Sequence, residues 1–256
     1  AFPTKEEFTM KFTKAIALSL AALVAAGAIA GCGDQKKEAK APADKKEITV
    51  GITSGYSEQV MDFVAKKAEK EGLKVNLKTF GDYVTPDSAL ASGDIDLNSY
   101  QHGPYLEAYN EKNGTKLVSI GNTYLAPLRI YSNKYKDLKD VPDGAKVSIP
   151  NDPSNGGRAL LLLDKNGLLK LKEGTDPTKA VVGDIAENPK HLEILELEAP
   201  QLPRSLDDVA ISVINAGYAK AASLDTKTAL VPRHEDRPRD RRQHVSLCQY
   251  HRSPRT

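Results

Sequence analysis

Apolar positions along this chain repeat with two periods that take turns. Glu47–Thr53 (EITVGIT) is a β-branched run and predicts a first strand. Val60, Val64 and Ala68, with Met61, recur at helical spacing, with Ser57 as a candidate cap and Gly72 as the stop. Leu73, Val75 and Leu77 alternate, so a second strand follows. Thr85-Pro86 supplies a cap and a first-turn proline for a short helix to Ser92. Ile95–Asn98 reads as a short strand, Gly103-Pro104 opens a helix, and Asn113-Gly114 stops it. Leu117–Ile120 and Leu128–Ser132 are further strands. The series then starts again. Ala145–Ile149 is a strand, and Asn155 caps a helix that carries Leu160, Leu161, Leu162 and Leu163 and ends at Asn166-Gly167. His191–Leu197 and Val209–Ile214 are strands, and Gly217–Ser223 is a last helix. Alternating strands and helices imply largely parallel sheets with helices on both faces. The restart near residue 130 predicts two α/β lobes.

The N-terminus has a different pattern. Lys11 and Lys14 precede an apolar run from Ala15 to Ala30, which is shorter than the about 20 residues a membrane-spanning helix needs. A basic flank, a short apolar stretch and small residues make a secretory signal. The run ends Ile29-Ala30-Gly31-Cys32, which resembles the bacterial lipobox, whose cysteine thiol takes a diacylglycerol. Residues 1–9 are then an upstream extension and 10–31 the signal peptide. Residues 32–46 are the lipid anchor at Cys32 and a polar, proline-containing tether.

Charge separates the rest. Residues 33–230 carry 26 basic and 29 acidic groups, so nothing in the body calls for nucleic acid as a partner. Residues 231–256 hold seven arginines, no lysine and three of the five histidines. With two cysteines there is no disulfide scaffold and no cysteine-based zinc site.

Three places suit ligand chemistry. Ile149–Arg158 (IPNDPSNGGR) joins a strand to a very apolar helix. Its glycines expose backbone N–H groups at a helix start, which favours an anion, and Arg158 offers a planar fork that matches a carboxylate. A surface arginine beside a capped helix fits the local sequence equally well. Asn98–Tyr105 (NSYQHGPY) stands between a strand and a helix, where open α/β sheets bind ligands. Tyr100, His102 and Tyr105 supply apolar walls with polar tips there, and Tyr83 is another strand-end aromatic. A hydrogen-bonded structural histidine and ordinary tyrosine packing are the plain alternatives. Asn215 ends a strand, and its amide oxygen can accept from an ammonium group or cap the next helix. No phosphate loop, dinucleotide fingerprint, nucleophile elbow or HExxH motif is present, and no convincing catalytic set is visible.

Taken together, SGDIDLNSYQHGPYL (92–106), VSIPNDPSNGGRALLLL (147–163), DIAENPKHLEILELEAPQLPRSLDDV (184–209) and VINAGYA (213–219) resemble the methionine-binding lipoproteins of ABC importers, the MetQ/NlpA family. The resemblance implies a periplasmic-binding-protein fold of type II character, with a lobe at 47–127, a second at 128–215, a return to the first at 216–230, a hinge and a ligand cleft. It implies a non-enzymatic receptor for a free amino acid, methionine foremost, that serves a membrane permease and its ATPase. Such a protein sits in the cell envelope outside the cytoplasmic membrane, lipid-anchored, with no cofactor and no metal. Carried over by motif, Arg158 pairs with the ligand carboxylate, Asn155 and Asn215 hold the amino and carboxylate end, and Tyr83, Tyr100, His102 and Tyr105 line the side-chain pocket. The chain departs from the family at Ser54-Gly55-Tyr56-Ser57, where Ala-Gly-Pro-His is frequent, and at Ser99-Tyr100. Receptors for another apolar amino acid or a small peptide, a cell-envelope enzyme using His102, and nucleic-acid contact through the basic tail are the alternatives.

Family chains continue past residue 230 with elements that complete the first lobe. Here the arginine-rich 231–256 predicts an aberrant, disordered tail, as from a shifted reading frame, with a genuine basic arm as the alternative. It also predicts an exposed Cys248 and an uncovered edge in the first lobe.

Overall fold

The computed structural model describes residues 45–176, 178–230 and 244–250, the last segment with the side chains of Val245 and Cys248. The signal sequence, the lipobox at Cys32 and the tether lie outside the described residues.

The β-branched run forms strand β1 (Glu47–Thr53), which leads into helix α1 (Tyr56–Lys70) and strand β2 (Lys74–Phe80). Helix α2 (Thr85–Ser92), strand β3 (Leu97–His102), helix α3 (Gly103–Asn113) and strand β4 (Leu117–Leu125) follow. The second series comprises β5 (Leu128–Tyr131), β6 (Lys146–Pro150), helix α4 (Pro153–Lys165), β7 (Lys170–Leu171), β8 (Ile185–Glu187), β9 (Glu193–Leu197), β10 (Ile211–Asn215) and helix α5 (Ala216–Ala221). Strand β11 (His244–Tyr250) is the last described element.

Two main sheets result. The first has the order β2-β1-β3-β11-β4 and the second β5-β10-β6-β9, while β7 and β8 form a small antiparallel pair. Sheet membership changes between β4 and β5, near the restart in the sequence pattern. Strands β2, β1 and β3 run parallel, as do β10, β6 and β9, which the helical crossovers demand. The antiparallel members are β11 in the first sheet and β5 in the second.

The tail contradicts the expectation of a disordered arm over 244–250. Strand β11 lies between β3 and β4, paired antiparallel to both, with Val245 opposite His102 and Cys248 opposite Asn98. Val245 and Cys248 are buried, at 2% and 0% exposure, so Cys248 is a core thiol and not a surface one. The physical reason is local. HVSLCQY has no arginine and carries valine, leucine and tyrosine, which favour a pleated half-buried strand. An arginine count averaged over the whole tail hides it.

The segment after β10, expected to lead back to the first lobe, meets elements on both sides: the Tyr218 hydroxyl donates to the Gly81 carbonyl, just after β2, at 3.2 Å. Tyr218 and Ala219 join a cluster with Leu202, Leu206 and Ile214, and the Leu230 N–H donates to the Ile130 carbonyl at 2.9 Å.

Several caps differ from those expected. Asp152, not Asn155, caps α4, its carboxylate accepting from the Asn155 N–H at 2.9 Å. Helix α1 starts one residue before Ser57, whose hydroxyl instead donates to the Ser99 carbonyl. Val64 faces solvent, and the inward residues of α1 are Ser57 and Met61. At the start of α2, Asp82 gathers the N–H groups of Val84 and Thr85, each at 2.7 Å.

The largest core lies around the second sheet, where Leu160 and Leu163 of α4 meet Val147, Ile149, Ile211 and Val213. Fully burying one such side chain contributes about 1.5–3 kcal/mol. Two glycines permit close backbone approach near the strand ends. Gly55 has φ 97°, a region that suits glycine, and a Cβ there would run into the Gly217 carbonyl. A Cβ at Gly156 would lie 2.9 Å from the Pro150 carbonyl oxygen.

Candidate ligand-binding site

Strands β1, β3 and β10 end at one cavity, and helices α3, α4 and α5 begin there. That is where open α/β sheets gather exposed side chains and unpaired N–H groups. Its empty space is about 480 Å³, part of it continuous with solvent. All seven residues singled out from the sequence line it: Tyr83, Tyr100, His102, Tyr105, Asn155, Arg158 and Asn215.

The polar side is organised from Asp152 outward. Its carboxylate accepts from the Asn155 amide nitrogen at 2.9 and 3.0 Å, and the Asn155 amide oxygen accepts from Arg158 Nη1 at 2.9 Å. Arg158 Nη2 donates to the Ala126 carbonyl at 3.0 Å. The guanidinium is thus fixed by one side-chain acceptor and one backbone acceptor, and the remaining donors of its fork stay available. Burial pushes its pKa down to about 10, while Asp152 and Tyr83 favour the charge, so it stays protonated at neutral pH. Asn155, expected to touch ligand, lines the cavity with its amide nitrogen on Asp152 and its oxygen on Arg158.

His102 is 5% exposed, and its Nε2 has no hydrogen-bond partner. Burial, and then the nearby Arg158 charge, hold its pKa well below the usual histidine range, so the ring is neutral. The Asn215 amide oxygen is likewise buried without a partner. Unpaired buried polar atoms are costly, and three of them on residues that line one cavity, the Gln101 amide oxygen being the third, mark it as a place for a polar ligand.

The opposite side is aromatic. The Tyr83 carbonyl accepts from the Tyr100 hydroxyl at 2.6 Å and the Tyr105 hydroxyl at 2.9 Å. Ring centroids are 5.7 Å apart for Tyr83–Tyr100, 6.0 Å for Tyr83–Tyr105 and 6.1 Å for Tyr100–Tyr105. Tyr218 packs behind Tyr83 at 4.9 Å. Burial raises the phenol pKa values of all four, which keeps the hydroxyls neutral.

The structure extends β3 through His102, so NSYQH is largely strand and not the loop its polarity suggests. Sequence reasoning missed Gln101, Tyr124, Gly217 and Val245, which also line the cavity. Tyr124 lies near the end of β4, which the sequence pattern stops at Ile120, and Val245 depends on β11. Among the described residues no group of His, Cys, Asp and Glu forms a metal cluster.

The model of the NlpA lipoprotein family matches residues 48–243. The chain belongs to the NlpA lipoprotein family. It is 50% identical over 211 residues to the D-methionine-binding lipoprotein MetQ of Salmonella typhi, covering 80% of this chain and 74% of the relative. The MetQ of Escherichia coli strain K12 is 48% identical over 209 residues, 80% of this chain and 74% of that one. Among solved structures, a nutrient-binding protein from Burkholderia cenocepacia bound to methionine superposes with a TM-score of 0.74 at 48% identity, covering 79% and 84% of the two chains. The substrate-binding protein of a methionine transporter from Streptococcus pneumoniae gives 0.73 at 36% identity, covering 80% and 81%. The fold of this NlpA-family chain is therefore that of periplasmic substrate-binding proteins.

Proposed function

We propose that this chain is the substrate-binding lipoprotein of an ABC importer and captures a free amino acid, methionine foremost. The observation that carries this reading is the polarity of one cavity: a fixed guanidinium and a buried unpaired amide oxygen on one side, tyrosines on the other. An amino-acid zwitterion has the complementary charges. Its carboxylate suits Arg158, whose fork makes two parallel N–H···O bonds, and the helix starts add partial positive charge. Its ammonium group suits the Asn215 oxygen. Asn155 serves by orienting Arg158. A flexible thioether suits the wall of Tyr83, Tyr100 and Tyr105 beside the neutral His102 ring, since sulfur packs well against aromatic edges.

Lipid on Cys32 would hold the domain by its tether at the outer side of the cytoplasmic membrane or at the cell surface, where it passes ligand to a permease driven by its ATPase. The names of the MetQ relatives and of the methionine-transporter neighbour support this setting.

Isothermal titration of the domain against the common amino acids, with L- and D-methionine both included, tests the proposal. Bound ligand is first stripped by unfolding and refolding. A folded preparation that takes up none of them overturns it.

A further inference from the structure

Behind the tyrosine wall lies a carboxylate that ligand capture does not use directly. Asp87 of α2 is fully buried, at 0% exposure, as are Asn98 at 0% and Gln101 at 3%. One of its oxygens, Oδ1, accepts from Asn98 Nδ2 at 2.7 Å and from Gln101 Nε2 at 2.6 Å. Its Oδ2 has no hydrogen-bond partner, and neither has the amide oxygen of Asn98 or Gln101. Gln101 lines the cavity, and so do its neighbours Tyr100 and His102. The carboxylate therefore ties α2 to the end of β3 that presents the pocket wall.

A buried carboxylate without a cation is costly, and an asparagine in its place would carry no charge to desolvate. The titratable groups that act on Asp87 from packed elements are Tyr100 of β3, Tyr105 of α3 and Cys248 of β11. Strand β1 holds only Glu47, paired with Lys74 at the exposed end, and β4 only Tyr124. No lysine or arginine is among these described groups, and His102 of β3 is neutral. Burial raises the Asp87 pKa to about 6, against the opposing pull of the nearby Tyr100 hydroxyl and of the hydrogen bonds from Asn98 and Gln101.

We propose that Asp87 is a positioning residue of the ligand pocket, holding Gln101 and its neighbours Tyr100 and His102 in binding geometry through its ionised carboxylate. This rests on the amino-acid-binding reading above. Ionised, Oδ1 makes two charge-assisted bonds, which are stronger than neutral ones. Protonation weakens both and loosens the grip on β3. Stability moves the other way. The folded carboxyl holds its proton up to about pH 6, above the unfolded value of 3.8, so ionisation costs folding free energy as pH rises through that window. Acidification from pH 7.5 to 5 thus relieves a folding cost while it relaxes the pocket.

The test measures L-methionine affinity and thermal stability between pH 5 and 7.5 for the wild type and Asp87→Asn. The free amino acid stays a zwitterion throughout, and His102 is already neutral. Wild-type affinity is expected to fall about three- to tenfold from pH 7.5 to 5. The Asp87→Asn protein is expected to be at least as stable at pH 7.5, to bind about three- to tenfold more weakly there, and to show a flat affinity profile. Wild-type binding without pH dependence overturns the positioning role and leaves the receptor reading intact. Parallel pH profiles for the two proteins do the same. No wild-type binding at pH 7.5 removes both. If Asp87→Asn fails to fold, Gln101→Ala, which loses its bond to the carboxylate, takes its place: a pH profile parallel to the wild type's overturns the role.

Discussion

Replacing Arg158 by lysine isolates geometry from charge at the point where the ligand carboxylate is expected. The guanidinium is held 2.9 Å from the Asn155 amide oxygen and 3.0 Å from the Ala126 carbonyl, so its plane is set before ligand arrives. Lysine keeps the positive charge but offers a point donor on a flexible stem. It loses the paired N–H···O contact and cannot keep both internal bonds. Losing a bidentate charge-assisted pair in a desolvated cleft costs about 2–4 kcal/mol, a drop of about 30- to 1000-fold in affinity. Isothermal titration with methionine on stripped protein measures it, and a melting curve controls for folding. The reasoning is refuted if Arg158→Lys keeps affinity within about threefold of wild type, a difference near 0.7 kcal/mol. Asn155→Ala gives an internal check. It removes the bond that orients Arg158 and leaves the charge, so its loss should be smaller than that of Arg158→Lys.

Other elements give further expectations. Leu163→Ala empties a fully buried site in the second-sheet core and should lower stability by about 2–5 kcal/mol, read from urea unfolding. A chain ending before His244 leaves β3 and β4 without their shared partner, and size-exclusion chromatography should show aggregation; an intact monomer with an unchanged melting temperature contradicts the role given to β11. Burial pushes the Cys248 thiol up to about 12, so in a Cys32→Ser protein alkylation at pH 8 should run slower than in urea by on the order of a hundredfold or more. Gly55→Ala meets both a positive φ and the Gly217 carbonyl, and a drop in melting temperature is the expected result.

Much of the site was legible because its residues stand where strands end and helices begin, a place that the 2.0 and 3.6 periods mark. Arg158 lies one turn into such a helix, and Asn215 is the last residue of such a strand. The cap of α4 was misread because Asp152 and Asn155 are both favoured caps three residues apart, and only coordinates tell which one faces the first turn. The length of β3 was missed because Asn98, Gln101 and His102 are polar, and polarity argues for solvent. Asp87 reverses that argument by satisfying two of them inside the core. A carboxylate from another helix is invisible to any periodicity taken along the strand. Strand β11 was missed because seven residues of ordinary strand character sit among arginines.

The placement of β11 also fixes an order of assembly. Strand β4 follows β3 with one helix between them, yet the two are kept apart by a strand from the far end of the chain. The Thr123 hydroxyl donates to the Val245 carbonyl at 2.9 Å across 122 residues of sequence. Such distant pairing carries a high loop-closure cost and slows folding. The second sheet draws all its strands from residues 128–215 and can form before the chain is complete. The first sheet stays unfinished until its last strand is released. Until residues 244–250 arrive, β3 and β4 have no shared partner, so the first sheet is the later of the two to close.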